Sequence, residues 1–325
     1  MTTSEVRSRN PLSASWWSAF FFSDYTANSL GLFRIWFAAT MVLYALWDFG
    51  YLLELNPLGP IFHFADPIWY FRLVGISLHV PWLTPLVLVT LLAATIALGF
   101  GFRTRIALVV MFLAIAYLQG VRDSFDGAVH HRMVVPANIL IVLFFSRCAD
   151  VLSKDSARGR RQGRTIAPIE SWAASWPLRA IQVHIAFYYF FAAVAKLRLS
   201  GWVWIGDGGK VQTMLIDRSM RHGLTETGEA VRGKLGYLLA QSPGWLVTFV
   251  TAVIVFELLS PLILVLVRSL AARLVFVAGA TAFHIGNFVL LAVNFIFYPL
   301  LLAVFFDLDK VYRKLQLRFG WRPLP

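Results

Sequence analysis

Cysteine is almost absent: Cys148 is the only one in 325 residues. No disulfide can close within the chain, and C-x-x-C metal or redox sites are excluded. Charge is also scarce, at 14% of residues against about 25% in soluble domains. The seven histidines never fall in H-x-x-x-H or H-E-x-x-H spacing on one helix, so neither zinc nor haem is favoured. No G-x-S-x-G stretch precedes a helix, which leaves a serine-hydrolase reading without support. "GDGGK" at 206–210 lacks the full G-x-x-x-x-G-K-[ST] phosphate-loop pattern and reads as a flexible turn. The N-terminus "MTTSEVRSRNPLSASWWSAFFFSDY" lacks the charged, apolar and cleavage regions of a signal peptide in that order, and none is expected. No internal repeat and no segment long enough for a second soluble domain is visible.

What remains is apolar. Hydrophobic residues make up 58% of the chain, and the mean hydropathy is +0.68. Runs such as Trp82 to Phe100 and Trp245 to Val267 meet the criterion of about 18 apolar residues for a membrane-crossing helix. The pattern predicts an all-α integral membrane protein, a polytopic bundle of about eight transmembrane helices. They fall at 29–50, 81–100, 105–121, 132–147, 178–197, 244–267, 271–292 and 295–307. Pro81 and Pro177 mark starts, and Gly99-Phe100-Gly101 marks a tight turn.

Residues 1–28 form an N-terminal segment in which Trp16, Trp17 and Phe20 to Phe22 suit a helix lying at the bilayer interface. Residues 29–308 are the transmembrane domain. It is interrupted by a flexible basic loop at 149–176 and an external loop at 198–242, and 309–325 is a basic tail.

The net charge of +12 comes from basic residues lying between apolar spans, so nucleic acid is not a partner. Membrane lipid is, because cytoplasmic loops concentrate Lys and Arg. With the N-terminus inside, 18 of the 29 basic residues fall on the cytoplasmic side and 10 outside, with Arg34 inside the first span. Both termini are therefore expected in the cytoplasm. The external 198–242 loop, with six basic residues, fits least well.

Ionisable groups within spans cost about 2.5–3.5 kcal/mol on insertion scales and so face a bundle interior. Arg34 lies in "GLFRIW" and Glu257 in "VFELLSP". They are either structural, as an ion pair or separate interfacial contacts, or Arg34 holds the anionic part of a substrate. Gln182, Tyr189 and Lys196 are spaced by seven and drift only about 20° per step around a helix, forming one polar stripe. Such a stripe commonly supplies interhelical hydrogen bonds. Lys196 itself reads either as an anchor snorkelling to the headgroups or as a base. An amine enclosed by Phe190, Phe191, Leu197 and Trp202 and stripped of water is a group that catalysis can use. His130 and His131, in "DSFDGAVHHRMVVPANIL", and His284, followed by Asn287 and Asn294, complete the set. The expected topology lets His131, Lys196 and His284 line one outward-opening cavity.

Several segments carry a resemblance. They are "GLFRIWFAA" at 31–39, "GFGFRTR" at 99–105, "HHRMVVPANILIVLFFSRCADVLSKD" at 130–155, "QVHIAFYYFFAAVAKLRLSGWVWIGDG" at 182–208, "FELLSPLIL" at 256–264 and "FHIGNFVLLAVNFIFYPLLLAVFF" at 283–306. Their order and spacing resemble the HTTM family, the membrane domain shared with vitamin K-dependent γ-glutamyl carboxylase. The matching elements on the fifth span are Gln182, Tyr188 to Phe191, Lys196-Leu197, Trp204 and Asp207-Gly208.

The resemblance implies that Lys196 is a base acting on a reduced quinone, a vitamin K-like hydroquinone. Oxygenation of that quinone gives a base able to remove a glutamate γ-proton. His131 and His284 would support it; from the residues themselves, Gln182, Tyr189, Trp204, Arg34, Glu257 and Asn287 are the expected substrate- or cofactor-binding set. No metal is implied. The carboxylase's large extracytoplasmic domain has no counterpart in this sequence. Compact bacterial members, such as the sporulation-delaying protein B type, take part in maturing a secreted peptide. The expected function is therefore a γ-carboxylase-like enzyme of the inner membrane, acting on a peptide or lipid-soluble substrate, with a separate soluble subunit as a possible partner. The alternatives are a non-enzymatic maturation or export partner of a secreted peptide, and a transporter.

Overall fold

A backbone held away from water must satisfy its N–H and C=O groups within its own segment, and long apolar runs do so as helices. The computed structural model describes residues 13–22, 25–55, 66–76, 82–126, 131–165, 169–206, 208–223, 230–291, 293 and 295–319. Every regular element among them is helical. In chain order the principal helices are α1 (Ala14–Phe22), α2 (Ala27–Asp48), α3 (Leu83–Phe100), α4 (Thr104–Asp126), α5 (Val134–Phe145) and α6 (Lys154–Arg161). There follow α7 (Ser171–Ser200), α8 (Gly209–Gly223), α9 (Ala230–Ala240), α10 (Pro243–Leu259), α11 (Leu270–Leu291) and α12 (Leu308–Phe319). Five of them, α2, α3, α4, α7 and α11, are long and apolar enough to cross a membrane, while α5 and α10 are apolar but shorter.

The chain divides into two compact units, one of Met1–Ile181 with Phe306–Pro325 and one of Gln182–Phe305. In the first, α2 packs on α3, α3 on α4, and α4 on α5. Phe33, Phe37, Met41, Leu91, Leu98 and Met111 are buried among them. Thr26 caps α2 by accepting from the Ser29 N–H, and its hydroxyl donates to Asp309 of α12 at 3.0 Å. Outward faces stay apolar, with Val89 and Ile96 of α3 and Ile106 and Leu113 of α4 all exposed.

The turn between α3 and α4 explains "GFGFRTR". Gly101 takes φ +62°, the left-handed conformation that ends a helix and that glycine adopts without penalty. The N–H groups of Gly101 and Phe102 return to Leu98 and Ala97. Asp155 then accepts from the Arg103 N–H, the Thr104 N–H and the Thr104 hydroxyl, each at 2.8 Å, and so caps α4 from a distant helix.

Arg34 is fully buried. Its Nη1 donates to the carbonyls of Cys148 (2.5 Å) and Val151 (2.9 Å), and its Nη2 to that of Leu152 (2.6 Å). The expected flexible loop at 149–176 therefore contains order: a 3-10 turn at Cys148–Asp150, then α6, tied down by Arg34 and Asp155.

Other expectations change for local reasons. α7 begins at Ser171, so Pro177 lies inside it rather than at its start. A proline forfeits one ladder bond, and membrane helices tolerate that loss. The expected span 244–267 stops at Leu259 and resumes as a short turn, Leu262–Leu266. Pro261 has no N–H for the Glu257 carbonyl, which accepts instead from the Ser260 N–H and hydroxyl. The expected eighth span is a single turn, Tyr298–Leu301, followed by 3-10 residues Leu302–Phe305. The expected external loop at 198–242 holds α8 and α9, packed on each other and on α11.

α1, expected at a bilayer interface, packs against protein. Trp16 and Phe20 are buried, and the Arg179 guanidinium stacks 4.5 Å from Phe20 and 5.0 Å from Tyr25. Residues 1–12, Pro81, His130, Asp207 and Asn294 lie outside the described residues.

Candidate functional site

The second unit brings α7, α10 and α11 together around two polar pairs. In the first pair, Lys196 Nζ donates to both carboxylate oxygens of Glu257, at 2.5 and 2.6 Å. The Glu257 side chain is 1% exposed and that of Lys196 24%. A carboxylate this deep is tolerable only when paired and hydrogen-bonded. The helix break after Leu259 gives its backbone a second anchor, since the single Ser260 hydroxyl hydrogen is shared between the Glu257 carbonyl and the Ala186 carbonyl of α7, at 2.6 and 2.7 Å.

In the second pair, Tyr189 Oη and His284 Nε2 are 2.7 Å apart, and both residues are buried. Aromatic rings box the histidine: Phe283 and Tyr298 at 5.1 Å, Tyr189 at 5.8 Å and Phe295 at 5.9 Å between centroids. Its Nδ1 is buried without a hydrogen-bond partner among the described residues. Leaving such a group unmade costs about 1–3 kcal/mol, an arrangement expected where a ligand supplies the partner. Phe283 joins the two pairs, with the Lys196 amine 5.8 Å from its ring centroid. Trp204 is 6.0 Å from the same amine, and its indole N–H is a second buried donor without a partner among the described residues.

The expected residues are therefore sorted. Lys196, Glu257, Tyr189, His284 and Trp204 share the second unit. Gln182, fully buried, sits below them on α7, where its amide donates to the Val304 carbonyl at 2.7 Å and braces the helix. Asn287 is half-buried and lies one turn beyond His284. The enclosure expected for Lys196 differs: Phe191 and Trp202 face outward at 60% and 74% exposure. The amine is enclosed instead by Glu257, Phe283 and Trp204.

His131 belongs to the first unit, is exposed, and accepts from the Val134 N–H through its carbonyl. Arg34 is also in the first unit. Its role as a substrate anchor gives way to a structural one, because both terminal nitrogens are held by backbone carbonyls. The carboxylate of Glu257, in the second unit, is taken by Lys196.

Two features went unread in the sequence. One is the ring box of Phe256, Phe276, Phe283 and Tyr298 around Tyr189 and His284; the Phe-rich stretches flanking both residues are its only trace. The other lies in the first unit. There the Gln119 amide donates to Asp123 at 2.7 Å, and Arg122 sits 3.7 Å from Asp48 and 5.1 Å from the Tyr51 ring. The i,i+4 spacing of Gln119 and Asp123 is the signal that could have shown it. Among the described residues no cluster of His, Cys, Asp and Glu could hold a metal.

Chemically, the constellation can hold and relay a proton at the Lys196–Glu257 pair and offer two hydrogen bonds, from His284 and Trp204, within an aromatic surround. Compared with family models, curated proteins and solved structures, the chain matches none of them, and the HTTM resemblance rests on the quoted segments themselves.

Proposed function

We propose that the chain is a multi-pass protein of the inner membrane, with both termini cytoplasmic, whose second unit modifies or matures a peptide or lipid-soluble substrate using a reduced quinone. The observation that carries this reading is the unpartnered Nδ1 of buried His284, boxed by rings and one ring away from the Lys196–Glu257 pair. A flat, apolar ring with oxygens at its edge suits that surround: aromatic faces accept the ring, and an edge oxygen satisfies the histidine. When bound, a hydroquinone supplies an acidic O–H and reducing electrons.

The protein's part is positional and protonic. If the Tyr189 hydroxyl donates to His284 Nε2, Nδ1 carries the hydrogen and donates to the ligand. In the other tautomer it accepts from a ligand hydroxyl. The Lys196–Glu257 pair is the proton acceptor, its amine and carboxylate 2.5 Å apart. Ring burial around His284 keeps water from competing.

The test is binding of a short-chain naphthoquinone to the purified protein in detergent, read by quenching of tryptophan fluorescence. His284→Phe is expected to weaken binding about tenfold, the loss of one buried hydrogen bond at about 1.4 kcal/mol, while the protein stays folded. Lys196→Ala is expected to retain binding and abolish function in cells. Wild-type protein that binds no quinone, or a folded Lys196→Ala that works normally, overturns the reading. Maturation or export of a secreted peptide without chemistry would then be the surviving alternative.

A further inference from the structure

An apolar groove runs between α4 and α5 in the first unit, walled by Val109, Phe112 and Leu113 on one side and Ile141, Phe144 and Phe145 on the other. Leu113 and Phe145 are 61% and 69% exposed, so the groove opens outward. One end is different. Arg105, four residues before Val109 and hence on the same face of α4, lays its guanidinium over the Phe144 ring at 5.3 Å. Its Nη2 donates to the Ser146 carbonyl just past the end of α5, at 2.6 Å. The side chain is otherwise exposed, and its remaining N–H groups have no protein acceptor among the described residues.

The surrounding charge is mostly positive. Arg103 and Lys154 are exposed and lie over Phe102 (5.9 Å) and Phe100 (4.9 Å), the posture of cations at the edge of an apolar layer. Of the neighbouring acids, Asp150 is paired with Arg147 at 2.7 Å, and Asp155 accepts from Arg103 and Thr104.

We propose that this groove is a binding site for an anionic phospholipid, with an acyl chain between α4 and α5 and the phosphate on Arg105. The site requires no orientation of the protein, only that α4 crosses a bilayer, and so rests on that part of the reading above. Charge complementarity selects the occupant. A zwitterionic headgroup would bring a cation toward Arg103, Arg105 and Lys154, and an apolar helix of another copy would leave the guanidinium unanswered. The fork of an arginine matches two phosphate oxygens, which a lysine cannot do.

The full chain, delipidated in detergent, is returned to nanodiscs of mixed phosphatidylglycerol and phosphatidylcholine, re-extracted, and its retained lipid counted by native mass spectrometry. Wild-type protein is expected to retain phosphatidylglycerol at least tenfold over its share of the mixture. Arg105→Gln is expected to bring that preference within twofold of unity. Leu113→Trp, which fills the groove and leaves the Ser146 contact in place, is expected to lower retention of both lipids at least fivefold. Equal retention of the two lipids by wild type overturns the proposal. So does Leu113→Trp with undiminished retention, or a groove-dependent dimer in light scattering. Flotation of the wild type with vesicles is read separately: failure there defeats the membrane-crossing reading, whereas flotation without selectivity defeats only the lipid site.

Discussion

With its amine within hydrogen-bonding reach of both Glu257 oxygens, Lys196 has its charge balanced inside the protein rather than among headgroups. Removing either partner strands the other. Glu257→Gln is expected to destabilise by about 2–3 kcal/mol, below the roughly 3–5 kcal/mol for fully buried pairs because Lys196 keeps part of its side chain exposed. The double change Lys196→Met with Glu257→Leu is expected to recover most of that loss while abolishing function. Thermal unfolding followed by tryptophan fluorescence reads the first effect, and the in-cell assay the second.

Cys148 gives a pH-dependent prediction. It is fully buried beside Arg34, and burial pushes its thiol above the usual range, with the nearby Arg34 and Arg105 opposing. A thiol raised in the folded state contributes stability below its unfolded value and loses it as pH rises through the folded one. Maleimide labelling of the folded protein is therefore expected to stay slow from pH 7 to 9, and to accelerate once the protein is unfolded. Fast labelling at pH 8 would show that the thiol is neither buried nor raised.

Among elements, the α3–α4 turn depends on α6 more than on its own residues. Asp155 satisfies two backbone N–H groups and one hydroxyl at the start of α4, so Asp155→Ala is expected to cost about 1–2 kcal/mol as a lost cap. Gly101→Ala should cost at least as much, since the residue takes a left-handed φ and a Cβ there would overlap Ser153. Both are measurable as a fall in unfolding temperature. α10 illustrates the opposite case, a helix whose break is built in. Its apolar run continues past Leu259, but Pro261 ends the ladder and Ser260 closes the gap. This leaves Glu257 in the last turn, held in position.

Across the whole molecule, composition and run length foretold an all-helical chain with membrane-length apolar helices, because those properties depend on local sequence alone. Segments 149–176 and 198–242 look like loops in the sequence because polar, basic stretches carry no apolar periodicity, yet α6, α8 and α9 form there. Arg34 holds the turn just before α6, and Asp155 ties α6 itself to Arg103 and Thr104, contacts that no local pattern encodes. The site was legible as a set of residues and not as pairs. Lys196 and Glu257 each stand out as charges in apolar helices, but 61 residues separate them, and 95 separate Tyr189 from His284. Pairing is decided by packing, which spacing along one helix does not show. The proposed topology predicts that a reporter fused after Pro325 is active only if its enzyme folds in the cytoplasm, and that the chain resists extraction by alkaline carbonate. A reporter active only outside would reverse the orientation.

The grip of Arg34 on Cys148, Val151 and Leu152 also has a consequence for biogenesis. On the membrane-spanning reading proposed above, the arginine enters the bilayer in the first long helix, yet its acceptors lie 114 to 118 residues further along the chain. Until the chain has been made past Leu152, it carries a bare guanidinium in an otherwise apolar segment, at a cost of about 2.5–3.5 kcal/mol on insertion scales. α2 is thus a helix that arrives early and is completed late. A chain truncated at residue 140 should leave α2 poorly inserted and exposed to quality-control proteases, whereas one extended to residue 165 should be retained, a difference that a pulse-chase of nested truncations would resolve.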